Sequence, residues 1–308
     1  MPFICYQEKS FRADKLELIE KINEVINDYT LQGYTLTLRQ LYYQLVARGI
    51  IENNMRSYKN TGNLINDARL AGLIDWKAIE DRTRNLKRLS HWESPQEIIE
   101  AVAYQYRKDL WEDQDYYIEV WVEKEALAEV VGNACKTYDV PYFCCRGYVS
   151  QSEMWEASQR LIYQCTVRNK DCLIIHLGDH DPSGIDMSRD IEERLQMFGN
   201  FDSPYFNIHF QGLRRIALNM NQIEEFNPPP NPAKLTDSRC KGYMNKYGDE
   251  SWELDALEPR VITNLIHETL SEFVDFDKMN TIQSQVDEEK KVMEKVAEDW
   301  NNIFDKYQ

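Results

Sequence analysis

The sequence predicts an α/β fold in two parts: a small helical unit over residues 1–112, and a parallel-sheet unit with a C-terminal extension over 113–308. Three observations predict it. Up to about residue 112 the apolar residues recur near the 3.6-residue helical period. From Tyr116 strand-like and helix-like runs alternate, the signature of a doubly wound layer. CLIIHLGD (172–179) has the near-continuous apolar character of a buried parallel strand.

In the first unit, Leu16, Leu18, Ile19, Ile22, Val25 and Ile26 predict a helix over 10–30. TLRQLYYQLVARG (37–49) predicts a second, with Thr37 and Gln40 spaced as a capping box. A third is expected from Asn60 to Ala71, ending at Gly72. Short helices broken by glycine in a basic setting point to a small helical or winged-helix domain. SPQEIIEAVAYQYRKDLW (94–111) opens with Ser and then Pro, and reads as a connecting helix.

In the second unit, YYIEVWVE (116–123), VPYFCCRGY (140–148) and CLIIHLGD are the strands. EALAEVVGNACKTY, SEMWEASQRLIYQ and SGIDMSRDIEERLQMF follow them as helices, the last with a capping-box-like start at Ser183 and Asp186. NPPPNP (227–232) marks a loop, and the Glu/Lys-rich stretch 287–299 a solvated helix.

Composition narrows the functional classes. No apolar run approaches the roughly 18 residues that span a bilayer, and MPFICYQEKS lacks a basic region before its apolar residues. A cytoplasmic protein without a membrane segment is therefore expected. The seven cysteines form no CxxC pair and no zinc spacing with the five scattered histidines, so reduced, mostly buried thiols are expected. A net charge of −16 opposes nucleic-acid binding at first sight. The acidity is concentrated, however: residues 249–308 hold 16 acids against 6 bases, whereas Arg56 to His91 hold 8 bases against 4 acids.

Ligands of such sheets bind beyond the carboxyl ends of the strands. Glu123 closes the first strand, and Asp179 and Asp181, in GDHDPSG, close the third. Three converging carboxylates without basic partners repel one another unless a hard cation sits among them, and oxygen ligands suit Mg²⁺. The plainer reading of Asp181-Pro182-Ser183-Gly184 is a turn and helix cap.

VEKEAL together with GDHDPSGID resembles the Toprim domain, and VEKEA, RGYVS and GDHDPSGI in that order are similar to the A subunit of topoisomerase VI and its relative, the meiotic double-strand-break transesterase. RQLYY, Arg39 to Tyr43, is similar to that family's arginine and paired-tyrosine motif in a CAP-like winged-helix domain. LRRIALN, NPAKLTDSR and WELDALEP look like stretches of bacterial and phage relatives, of a minimal type. The resemblance implies that Tyr43 attacks a DNA phosphate to form a 5′-phosphotyrosyl link. Mg²⁺, or Mn²⁺ in its place, would be held by Glu123, Asp179 and Asp181, with Glu123 also as general acid or base. It implies duplex DNA as substrate, a homodimer in which the tyrosine works with the other protomer's Toprim domain, and a separate ATPase subunit for any strand passage. The expected duplex contacts are Arg56, Lys59, Arg69, Arg82, Arg84, Lys87 and Arg88, with Lys234 and Arg239 as further phosphate contacts.

Helical phase separates the two tyrosines. Advancing about 100° per residue from Leu38, Leu41, Tyr42, Leu45 and Val46 share an apolar face, while Tyr43 lies near 140°, outward, beside Arg39. A phenol with pKa near 10 needs help to attack phosphate, and Arg39 is expected to lower the cost of its ionisation. Two other readings stay open at this point: a hydrolytic Toprim nuclease in which Tyr43 is idle, and a non-catalytic DNA-binding assembly protein.

Overall fold

The computed structural model of the protein describes residues 3–80, 89–232 and 237–307. Three helices open the chain: α1 (Ala13–Leu31), α2 (Leu38–Ala47) and α3 (Met55–Leu70). Ile19, Ile22, Val25 and Ile26 of α1, Leu41 and Leu45 of α2, and Leu64, Ile65 and Ala68 of α3 meet in one apolar core. The capping box at the start of α2 is present, with Thr37 and Gln40 each bonding the other's backbone N–H. α3 begins five residues earlier than expected, because the Asn54 side chain accepts from Ser57 N and caps it there. Two isolated β-bridges, Cys5 with Ala71 and Leu36 with Ile79, are the β pairing among the described residues of this unit.

Helix α4 (Pro95–Gln105) leads into the sheet unit and packs on a C-terminal helix rather than on the first three. The remaining elements are β1 (Tyr116–Val122), α5 (Ala128–Thr137), β2 (Tyr142–Cys144), α6 (Gln151–Thr166), β3 (Asp171–Leu177), α7 (Pro182–Asp202), α8 (Phe206–His209) and β4 (Phe210–Ala217). After them come α9 (Met220–Phe226), β5 (Asn231–Pro232), α10 (Cys240–Tyr247), β6 (Glu250–Ser251), α11 (Pro259–Ser271), α12 (Phe276–Glu298) and α13 (Trp300–Lys306). β2, β1, β3 and β4 form one parallel sheet in that order. Ile118, Val120 and Val122 of β1 face α5 and α11, while Trp121 faces α6 and α7, so both sheet faces are covered. That burial explains the near-continuous apolar strands.

The second strand is only three residues long, and NPPPNP is not wholly loop, since Asn231 and Pro232 pair antiparallel with Ser251 and Glu250. All seven cysteines are free, five of them buried. Among the described residues no helix is long and apolar enough to cross a membrane.

Candidate active site

The strand order reverses between β1 and β3: the chain leaves β1 toward β2 at one edge and returns through β3 on the other side. Ligand crevices of open α/β sheets lie at such a switch point. Glu123 follows β1 and Asp179 follows β3, and the adjacent ends Val122 and Leu177 are in register. Glu123 Oε2 accepts from Asp179 N at 2.8 Å. Gly178 and Gly184 make this closeness possible. A Cβ on Gly184 would stand 2.2 Å from the Asp179 carbonyl oxygen, and one on Gly178 3.0 Å from Glu123 Oε2.

The alternation in Asp179-His180-Asp181 is anchored by its middle residue. His180 N and O pair with Trp252 O and N at 2.8 and 2.9 Å, and its ring lies against Tyr243, Tyr247 and Trp252. Burial lowers the His180 pKa to about 4, so the ring is neutral, and its Nδ1 is 2.7 Å from the Tyr243 hydroxyl. Asp181 is the N-cap of α7 and accepts from Gly184 N at 2.6 Å. The helix is therefore capped by Asp181, not by the expected Ser183 and Asp186 box. Asp186 instead bonds the Tyr148 hydroxyl at 2.6 Å and pairs with Arg189 and Arg239.

The same bridge aligns a second acidic pair. Trp252 is followed by Glu253, Leu254 and Asp255, and Leu254 N donates to Asp179 Oδ1 at 2.8 Å. Glu253 and Asp255 close around Lys124, whose Nζ is 2.9 Å from Asp179 Oδ1, 2.9 Å from Asp255 Oδ1, and bonded to Glu253. From the helical unit, Arg39 reaches the same pair, with Nε 3.1 Å from Asp255 Oδ2 and Nη2 2.8 Å from Glu253 Oε2. Arg215, on β4, donates to the carbonyls of Gly178, Asp179 and Gly184 and fixes the loop that carries the aspartates. The expected carboxylate cluster without basic partners is thus corrected: Lys124 pairs with Asp179, Glu253 and Asp255, Arg39 with the latter two, and Arg215 lies close enough to feel Glu123, Asp179 and Asp181.

Glu253, Asp255, Lys124 and Arg215 were not identified from sequence. Glu253-Leu254-Asp255 has the spacing of Asp179-His180-Asp181, and that repeat was the available signal.

Electrostatics follow from the packing. Burial raises the Glu123 carboxyl, and Asp181 adds to this while Lys124 and Arg215 oppose it. Burial likewise raises Asp179, to about 8; Lys124 pulls it down, and Glu123, Glu253 and Asp255 push it up. Burial alone would raise Glu253 as well, but Lys124 and Arg39 outweigh it and hold that carboxyl below its ordinary value.

Tyr43 is buried, 9% exposed, and not outward as helical phase predicts. The Leu254–Ala256 turn packs on α2 and covers the flank that phase assigned to solvent. The Arg39 guanidinium lies 5.7 Å from the Tyr43 ring centroid. Tyr42, also buried, spends its hydroxyl on Asn54 O at 3.1 Å and Asn53 Oδ1 at 3.2 Å. Among the described residues the Tyr43 hydroxyl has no hydrogen-bond partner. Its pKa rises to about 12 through burial, then through Glu253 and Asp255, with Arg39 and Lys124 offsetting part. Arg39 therefore does not bring the phenol below its ordinary value, because burial and then the two carboxylates outweigh it.

Two cavities meet at Arg39. One, of about 310 Å³, holds Tyr43; the other, of about 330 Å³, holds Glu123 and Lys124; Arg39 lines both. The expected nucleic-acid contacts divide. Arg56 and Lys59 are exposed on α3. Arg69 is a correction: it turns inward, donates to the carbonyls of Trp76 and Ile79, and stacks on the Trp76 ring. Arg239 is engaged by Asp186 and Asp237. Arg82, Arg84, Lys87, Arg88 and Lys234 lie outside the described residues.

Among the described residues no three His, Cys, Asp or Glu side chains form a ready-made metal cage. Glu123, Asp179 and Asp181 nevertheless suit a divalent cation in donor chemistry. All are hard oxygens, and two are raised by burial and by like charges, a cost that a cation would relieve. No protein-family model matches the chain, and no curated protein matches it significantly.

Proposed function

We propose that this protein is a metal-dependent DNA-cleaving transesterase of the topoisomerase VI A-subunit type, a winged-helix unit joined to a Toprim unit, acting on duplex DNA in the cytoplasm. The single observation that carries the reading is the shared arginine. Arg39 lies over the Tyr43 ring, pairs with Glu253 and Asp255 beside Lys124, and lines the cavities of both Tyr43 and Glu123. A phosphodiester at Arg39 has a nucleophile on one side and carboxylates on the other.

In this mechanism the Tyr43 phenol releases its proton to water as its oxygen forms a bond to phosphorus, the bond from phosphorus to the 3′ oxygen breaks, and the 5′ end stays on the protein. Arg39 steadies the charge on the phosphate oxygens by exchanging a carboxylate partner for them. Glu123 gives the leaving 3′ oxygen its proton. Mg²⁺, or Mn²⁺ in its place, held by Glu123, Asp179 and Asp181, would supply charge neutralisation at the phosphate. A double-strand cut needs two tyrosines, so the working unit is a homodimer; unlike the arrangement the resemblance implies, each tyrosine is read here with the carboxylates of its own chain, and ATP-driven strand passage would need a separate ATPase subunit.

The rival reading is a hydrolytic nuclease in which Tyr43 is idle. The observation on its side is the Tyr43 pKa of about 12, which disfavours the phenolate. Incubation with duplex DNA and Mg²⁺, followed by denaturation, separates the two. Transesterification leaves protein covalently on 5′ ends, and Tyr43→Phe abolishes it. Free ends produced by Tyr43→Phe at the wild-type rate overturn the proposal.

A further inference from the structure

The cavity beside Tyr43 has a lining unlike the rest of this acidic chain. Among the described residues that line it there is no carboxylate, although the protein carries 52 acidic residues against 36 basic ones. It offers instead three aromatic rings, three carboxamides and one guanidinium. Tyr42 is the scaffold: its ring stands edge-on to Tyr43 at 5.3 Å and to Tyr58 at 5.2 Å, and its hydroxyl is tied to the Asn53–Asn54 loop.

The carboxamides are held from two directions. Asn54 caps α3 through its side-chain oxygen, and Asn53 Nδ2 donates to Asn231 Oδ1 at 2.6 Å. Asn231 ends the Asn227–Asn231 stretch, where three consecutive prolines restrict φ and deliver this residue to the cavity from the sheet unit. An amide NH₂ carries two donors, so Asn53 keeps one beyond its bond to Asn231.

We propose that this cavity receives one unstacked nucleobase of the strand whose phosphate faces Tyr43. Flat π surface for stacking, carboxamides that offer donor and acceptor together, and a lining without a carboxylate suit a base. At about 310 Å³ the cavity is at the small end of ligand pockets and suits a single base, not a base pair. Tyr58 supplies stacking, Asn53 and Asn231 read the base edge, and the site sets which nucleotide adjoins the cut. The inference rests on the cleavage reading for its biological use, but the binding it requires is independent of cleavage.

The test is calorimetric titration of the full chain with the four deoxynucleoside 5′-monophosphates, with 2-deoxyribose 5-phosphate as the baseless control. The nucleotides should bind at least about tenfold more tightly than the baseless control, and Tyr58→Ala and Asn53→Ala should each remove about tenfold, with unchanged circular dichroism. Equal binding of the baseless phosphate, or nucleotide binding indifferent to both substitutions, overturns it. Nucleotide binding without any covalent adduct would refute the transesterase and keep the pocket. An adduct formed without base-dependent binding would do the reverse.

Discussion

Strand β1 carries one buried acid, Glu119, and a second, Glu123, follows its carboxyl end four residues on, and their surroundings differ in kind. Glu119, 3% exposed, accepts from Tyr117 OH at 2.9 Å, from Trp121 Nε1 at 2.8 Å, and from two Arg160 nitrogens at 3.1 Å each. Glu123, at the carboxyl end, accepts one backbone N–H and is raised by burial and by Asp181. A carboxylate whose lone pairs are matched by donors holds a fold together. One whose charge is short of partners costs stability and is available for chemistry.

Substitutions should separate the two. Glu123→Gln should lower adduct formation about a hundredfold or more while leaving the melting temperature equal or higher. Glu119→Ala should cost about 2–4 kcal/mol in denaturant unfolding, by orphaning the Tyr117 and Trp121 donors. If Glu123→Gln proves the more destabilising of the two, the contrast fails.

A pH titration sharpens the same point. Because the folded Asp179 carboxyl keeps its proton up to about 8, the folded chain binds more protons than the unfolded one between about pH 4 and that value. Stability in chelator should therefore fall as pH rises through this window, and Asp179→Asn should flatten the decline. Mg²⁺ at ten times its dissociation constant should restore about 1.4 kcal/mol at pH 8 and less at pH 5, where the site is protonated. Parallel declines in both proteins would remove Asp179 from this role. For Tyr43 the expected sign is opposite in effect: adduct formation should keep rising with pH past 10, where an ordinary tyrosine levels off, because its phenol holds to about 12.

The smallest effects distinguish the arginines. Arg69→Ala should lose about 1–2 kcal/mol of stability, since buried carbonyls lose their donor, with little change in DNA affinity. Arg56→Ala should do the reverse and reduce the slope of log affinity against log salt by about one.

What was legible in the sequence was local. Periodicity located α1, α2 and the central strands, and strand ends located Glu123, Asp179 and Asp181. Asp181 unites its two sequence readings only in part, since its place as helix cap is visible and its metal role is a proposal. The cations were not legible, because Lys124 and Arg215 acquire their partners from segments far along the chain. Helical phase failed for Tyr43 for the same reason. A wheel assumes one buried flank, and the Trp252–Asp255 segment supplies a second.

Surface cations that grip DNA release condensed counterions, and each steepens the salt dependence of binding. Arg39 is already neutralised by Glu253 and Asp255, so moving it onto a phosphate exchanges one anion for another within the protein. Such a contact contributes to positioning at the cut while remaining invisible in a salt titration.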